Sequence, residues 1–312
     1  MNMIDAPTLL TIIFVLVDDW YQQEGHQWVP SLPGPNPKFS ESEMLTLLLA
    51  MDYFPYPGEQ QFLGFIRANY LSLFPHLLDQ SQFNRRVRRL EGLLEELRRS
   101  WVKQMGHDLE RTLVMDTKPV PVVGYKRSKR HSDFAESATY GHCASRKMKY
   151  FGYKLVVVST LSGIPLVYSL VPAHTDERAA AEEVLCMVRG CRILADKGFI
   201  GEDWQSEVSR TTANRVFTAK RQNQHQQNPV VFDRILSRFR GRIEGVFNEV
   251  QNTGRNLERL LRKKLSGLCT HVAAKMASHT LRVLLHQRFG IVNVLALMSS
   301  PLNSLPANLH KA

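Results

Sequence analysis

Hydrophobic and polar positions alternate with two different periods along this chain. From residue 1 to about 110 the apolar residues recur at spacings of three and four, in "SEMLTLLLAMDYF", "QQFLGFIRANYLSLF" and "LEGLLEELRRSWVKQM". That period lines one face of an α-helix, so the front of the chain reads as a set of helices. Ser40 followed by Glu43 is the signature of a capping box at one helix start. "TLLTIIFVLV" is the most membrane-like run, but a bilayer takes roughly 20 apolar residues. No basic segment precedes it and Asp18, Asp19 and Trp20 follow at once, so a buried helix is expected rather than a signal peptide. "PSLPGPNPKF" reads as a Pro-rich connector.

From Thr112 the texture changes. "TLVMD", "YFGYKLVVVST", "GIPLVYSLVP", "RILAD" and "RVFTAKR" are short runs rich in Val, Ile, Leu and Tyr, which predict strands. Ser162-Gly163 separates the second run from the third as a hairpin signal. "DERAAAEEVLCMV" and "GEDWQSEVSRT" predict helices, with Asp176 and Glu177 as capping and dipole residues of the first. "FDRILSRFRGRIEGVFNEVQNTGRNLERLL" predicts a long helix broken at Thr253-Gly254, and "LCTHVAAKMASHTLRVLLH" a last one. The order is strand, strand, strand, helix, strand, helix, strand, helix. The first three strands suit an antiparallel meander, and the later ones need crossovers, so a mixed α/β sheet is expected. The expected division is a helical region over 1–110, an α/β domain over 111–290 and a loose tail over 291–312.

Charge changes this picture more than composition does. The 312 residues carry a formal net charge of +11, with a pI near 9.6. That balance points to a polyanion partner, nucleic acid first and an anionic membrane surface second. Cys143, Cys186, Cys191 and Cys269 have no CxxC spacing, so scattered reduced thiols in a cytosolic protein are expected over a zinc or disulfide framework.

In this basic chain, three acidic residues fall at telling places. Asp116 closes the first predicted strand, Asp196 closes the fourth, and Glu244 stands on the helix after the fifth. Singly each has an ordinary reading: Asp196 as a helix cap, Asp116 as a strand end, and Glu249 as a rival to Glu244. On the predicted helix Ile243, Phe247 and Val250 form the buried stripe, and Glu244 borders it with Arg240 and Asn248 on the same row. Glu249 lies on the far side, where an ion pair with Arg242 or Arg238 is expected. If the first and fourth strands are neighbours, three carboxylates converge. They repel unless something cationic sits among them. All-oxygen donors favour magnesium or manganese, and a pair of such ions suits phosphodiester displacement.

"LVMDTKPVPV", "GYKLVVVSTLSGIPLVYSLVPAHTDERAA", "ILADKGFIG" and "RGRIEGVF" together resemble the DDE transposases of bacterial insertion sequences, over roughly residues 111 to 290. More loosely, "FSESEMLTLLLAMDYF" and "SQFNRRVRRL" resemble the helical region ahead of the catalytic domain in one branch. The resemblance implies a ribonuclease H-like fold, a metal-bound triad of Asp116, Asp196 and Glu244, double-stranded DNA as partner and a homodimer on DNA. Two departures stand out. Phe199 replaces a common Tyr, and Ser237 and Gln251 occupy places held in one branch by Tyr and Lys, while Arg240 is kept.

Further DNA contacts are expected from basic clusters. Arg85, Arg86, Arg88 and Arg89 fall on one predicted helix with Ser81 as its cap and Phe83, Val87 and Leu90 as its apolar stripe. Lys126, Arg127, Lys147 and Lys149 belong to a basic, Tyr-interleaved connection between the first two strands. Lys220 and Arg221 close the fifth strand, and Arg240 would contact phosphate. The expectation is a cytoplasmic insertion-sequence transposase using magnesium or manganese, with a resolvase-type nuclease or a non-catalytic DNA-binding descendant as the alternatives.

Overall fold

The capping box forms as read. Ser40 Oγ accepts from the Glu43 N–H at 3.1 Å, and the Glu43 carboxylate accepts from the Ser40 N–H at 2.7 Å. The helix that it opens is α2 (Glu41–Ala50), in a computed structural model that describes residues 4–29, 34, 37–123, 132–143, 147–219, 228–254, 256–257 and 262–291. Around it lie α1 (Ala6–Gln23), α3 (Glu59–Asn69), α4 (Gln80–Val87) and α5 (Glu91–Gln104). Leu9, Ile13, Leu45, Phe62, Phe83, Leu94 and Trp101 meet in one core. α2 is buried on all sides from Met44 to Ala50, which is why its sequence is apolar all round. No helix among the described residues is long and apolar enough to cross a membrane.

The strands form one mixed sheet. They are β1 (Thr112–Val123), β2 (Thr139–Cys143), β3 (Met148–Thr160), β4 (Pro165–Pro172), β5 (Arg192–Ala195) and β6 (Arg215–Thr218). β3 is antiparallel to β1 and β4, while β1, β5 and β6 run parallel. β2 and β4 both pair with β3, along Met148–Gly152 and Tyr153–Ser159 respectively. From one edge to the other the strands therefore run β4, β3, β1, β5, β6, with β2 prolonging the β4 edge. This mixed sheet, flanked by helices and preceded by an all-α region, is the ribonuclease H-like arrangement expected.

Two features of the sheet differ from the sequence reading. β2 was not expected, because "TYGHC" alternates weakly and holds a glycine. It exists because β3 is long enough to offer an edge beyond β4. β1 does not end at Asp116 but runs on through Pro119 and Pro121 to Val123, paired with β3 alone. Once β5 has stopped, one side of β1 needs no ladder donors, so prolines are tolerated there. Gly152 opposite Pro121 permits the close approach: a Cβ there would meet the Val120 carbonyl at 2.2 Å.

α6 (Glu177–Leu185) and α7 (Glu202–Thr212) cover one face, where Ala180, Val184 and Val208 join the core of Leu113, Met115, Val156 and Val158. α8 (Val230–Asn252) and α9 (Leu265–Phe289) cover the other, where Ile243, Val246, Phe247 and Val250 meet Val114, Leu155, Val157 and Leu194. α8 ends at the predicted break, with Gly254 at φ 46°. α9 enters two cores, through Val272 and Met276 on the sheet side and Ala273, Ala277 and Leu281 on the side of the front helices. Arg98 of α5 makes a second join: it donates to the Pro165 carbonyl and, at 2.7 Å, to the Leu166 carbonyl of β4.

Candidate active site

The two aspartates stand where the β1–β5 ladder stops, Asp116 within β1 and Asp196 just past the end of β5. Met115 and Ala195 are the last residues paired between β1 and β5, so Asp116 and Asp196 come next, side by side, where the parallel ladder stops. Strand alternation puts Asp116 on the face of Val114 and Asp196 on the face of Leu194. Both of those residues belong to the core beneath α8. The local bonding is the same at each position. Asp116 Oδ1 accepts from the Thr117 N–H at 2.7 Å, and Asp196 Oδ1 from the Lys197 N–H at 2.6 Å. One oxygen of each carboxylate is thereby held by the next backbone amide. Asp196 also caps the short 3-10 turn Lys197–Phe199, so the capping role and the placement at the strand end coexist in one residue.

α8 packs over β1 and β5 and carries Glu244. Ile243, Phe247 and Val250 are buried with Val246, and Glu244 is exposed beside them. Arg240 lies one turn earlier on α8; its side chain is outside the described residues. Glu249 departs from its expected partners. It contacts Arg282 and, at 3.1 Å, His279, both on α9, rather than Arg238 or Arg242 on its own helix. Its side of α8 packs against α9, where ion pairing across helices replaces pairing along one.

Among the described residues no three His, Cys, Asp or Glu side chains are grouped closely enough to hold a metal ion. Asp116, Asp196 and Glu244 are therefore not drawn together as a set of three; what suits a hard divalent cation is the oxygen chemistry of the two half-buried aspartates, adjacent on one sheet face. Lys118 was missed from sequence. It shares the face of Asp116, two residues on, and its Nζ lies 5.7 Å from the centre of the Phe247 ring on α8. The period-two spacing from Asp116 was the available signal.

The basic residues separate into several groups. Arg85 and Arg89 are exposed. Arg86 turns inward to the Phe39 carbonyl and Glu41, and Arg88 bonds the Asn84 side chain, with Nε at 3.1 Å from Oδ1. Asp79, not Ser81, caps α4, accepting from the Gln82 N–H at 2.8 Å. Lys147 and Lys149 are exposed at the start of β3. Lys149 lines a groove of about 790 Å³ with Tyr140, Lys154, His174, Glu177 and Gly198, next to the Asp196 turn. Lys126, Arg127, Lys220 and Arg221 lie outside the described residues. All four cysteines are free thiols.

Residues 107–260 match the family model described as "Transposase DDE domain". The matched stretch contains Asp116, Asp196 and Glu244. Among curated proteins none matches the chain. Two solved structures resemble it distantly. One is a pre-cleavage Mos1 transpososome, 16% identical, with 74% of this chain and 84% of that chain covered and a TM-score of 0.22. The other is the Mos1 strand transfer complex, 14% identical, with 97% and 100% covered and a TM-score of 0.21.

Proposed function

We propose that the chain is the transposase of a bacterial insertion sequence, cutting DNA at the element's ends and joining the freed 3′-hydroxyl to target DNA. The observation that carries this reading is the adjacent emergence of Asp116 and Asp196 at the end of the β1–β5 ladder, beneath the helix that bears Glu244, inside a stretch that matches the transposase DDE domain model. Asp116 and Asp196 would hold magnesium or manganese, with Glu244 completing the donor set. Bound ions of this kind polarise a phosphodiester and lower the pKa of the attacking oxygen.

The rest follows from this chain's own residues. Attack by water in line with the 3′-oxygen breaks the P–O bond and leaves a 3′-hydroxyl. Attack by that hydroxyl on a target phosphate exchanges one phosphodiester for another. Neither step needs a covalent enzyme intermediate, so no nucleophilic side chain is required. Arg240 on α8, Lys118 beside Asp116, and the exposed Lys147, Lys149, Arg85 and Arg89 offer cations to the DNA backbone. Lys126, Arg127, Lys220 and Arg221 add to the same balance. Bridging two DNA ends calls for two copies of the chain.

The test is cleavage of DNA bearing the gene's own flanking ends, with manganese or magnesium, by wild type and by Asp196→Ala. Metal-dependent cuts at those ends, reduced more than about 100-fold by Asp196→Ala, are expected. Equal cutting by the variant would exclude this site. Specific binding without cutting by either protein would favour a non-catalytic DNA-binding protein.

A further inference from the structure

The two halves of α8 are held differently. Its first turns present Val230, Val231 and Ile235 to solvent, at 73%, 63% and 43% exposure. Its last turns are tied down by buried polar contacts. Lys275 of α9 is 1% exposed, and its Nζ donates to the Thr253 carbonyl and, at 2.9 Å, to Thr253 Oγ1. Thr253 is the residue at which α8 stops. The same Nζ lies 3.4 Å from Oδ1 of Asp52, which is fully buried just after α2. Nearby, Glu249 meets His279 and Arg282 of α9. Arg282 in turn sits over Tyr53, whose hydroxyl donates to the Ser278 carbonyl at 2.8 Å. Gly254 closes the junction: a Cβ there would meet Asp52 Cα at 2.5 Å.

A buried ammonium is tolerated only with a counter-charge and hydrogen-bond acceptors. Here the counter-charge comes from the front helices and the acceptors from the negative, carbonyl end of α8. Glu244 lies nine residues before Thr253, roughly 13 Å along the helix axis. A tilt of about 10° at the anchored end would move Glu244 by about 2 Å, and misplacement by about 1 Å can cost 100-fold in rate.

We infer that Lys275 is a positioning residue for the transposase reaction: by tying the carbonyl end of α8 to Asp52, it sets where Glu244 stands relative to Asp116 and Asp196. This rests on reading Glu244 as the third carboxylate. Lys275 itself touches no reacting group.

Full-length Lys275→Met, Asp52→Asn and Thr253→Val are compared with wild type and with Glu244→Gln. The readouts are DNA-end binding, metal-dependent cleavage and backbone amide exchange over residues 244–254. The three anchor variants are expected to keep end binding, lose about tenfold or more in cleavage, need more metal for half-maximal cleavage, and exchange faster at the end of α8. Thr253→Val removes one acceptor without stranding a charge, so it reads out the tie if Lys275→Met fails to fold. Wild-type cleavage by the anchor variants would overturn the inference, as would a loss of cleavage with α8 exchange unchanged. Wild-type cleavage by Glu244→Gln would instead remove the reading of Glu244, and the inference with it, even where α8 exchange had changed.

Discussion

A buried histidine and a half-buried glutamate show how environment decides what an ionisable group contributes. Burial holds His279 below its ordinary 6.5, and the Lys275 charge adds to this, although the ring bonds the Gly163 carbonyl at 2.8 Å. The unfolded chain takes up a proton near 6.5 where the folded chain does not. Stability from this group is therefore full above about pH 6.5 and falls as the pH drops below it. Urea unfolding between pH 8 and 5 should show a decline that His279→Gln reduces, by up to about 1.4 kcal/mol per pH unit in slope. Glu95 is also shifted downwards, but there it is the charged form that the fold favours. Burial opposes its charge, but the Arg98 guanidinium, the Tyr168 hydroxyl and Arg99 outweigh that and hold it below 4.5. The candidate site was legible at this same scale, because Asp116, Asp196 and Glu244 were named from strand ends and a helix row. Lys118 was not, since the period-two spacing puts it on the face of Asp116 but gives no sign that Phe247 of α8 will lie beside it.

Among the elements, α8 and its terminus matter most. The break at Thr253-Gly254 could be read from the sequence, but the reason for it lies in the packing. Gly254 takes φ 46° and presses on the backbone of Asp52 and Met51. Gly254→Ala should cost about 1–3 kcal/mol or more, measured as a fall in the urea midpoint. Gly254→Ala is also expected to slow cleavage if the carbonyl end of α8 is displaced. β1 and β2 mark the limit of local reading. The apolar run of β1 ends at Asp116, and the weak alternation of β2 gives no strand signal. Both were decided by β3, whose 13 residues offer pairing partners beyond what the shorter strands require.

For the molecule as a whole, the join between front helices and sheet is the feature with the largest consequences. α9 serves both cores, and Arg98, fully buried, bridges α5 to the carbonyls of β4 while pairing with Glu95. Removing one partner of a buried pair strands the other and the carbonyls it served. Arg98→Met should lower the unfolding free energy by about 3–5 kcal/mol, read by denaturant titration. If helices and sheet unfold as one unit, the loss appears as a single shifted transition; separate transitions would show that the join is weak.

The sequence by itself determined the local matters: helix periods, the Ser40–Glu43 cap, the hairpin at Ser162-Gly163, the apolar runs of five of the strands and the aspartates that follow the runs of β1 and β5. These are short-range, because a period or a cap depends on residues within one or two turns. Only the tertiary structure decided which strands are neighbours, that Glu249 pairs with α9, that Arg86 faces inward to Glu41, and that a buried lysine holds the end of α8. Each of these depends on contacts between residues far apart in the chain, and such contacts are set by the packing of whole faces rather than by any local pattern.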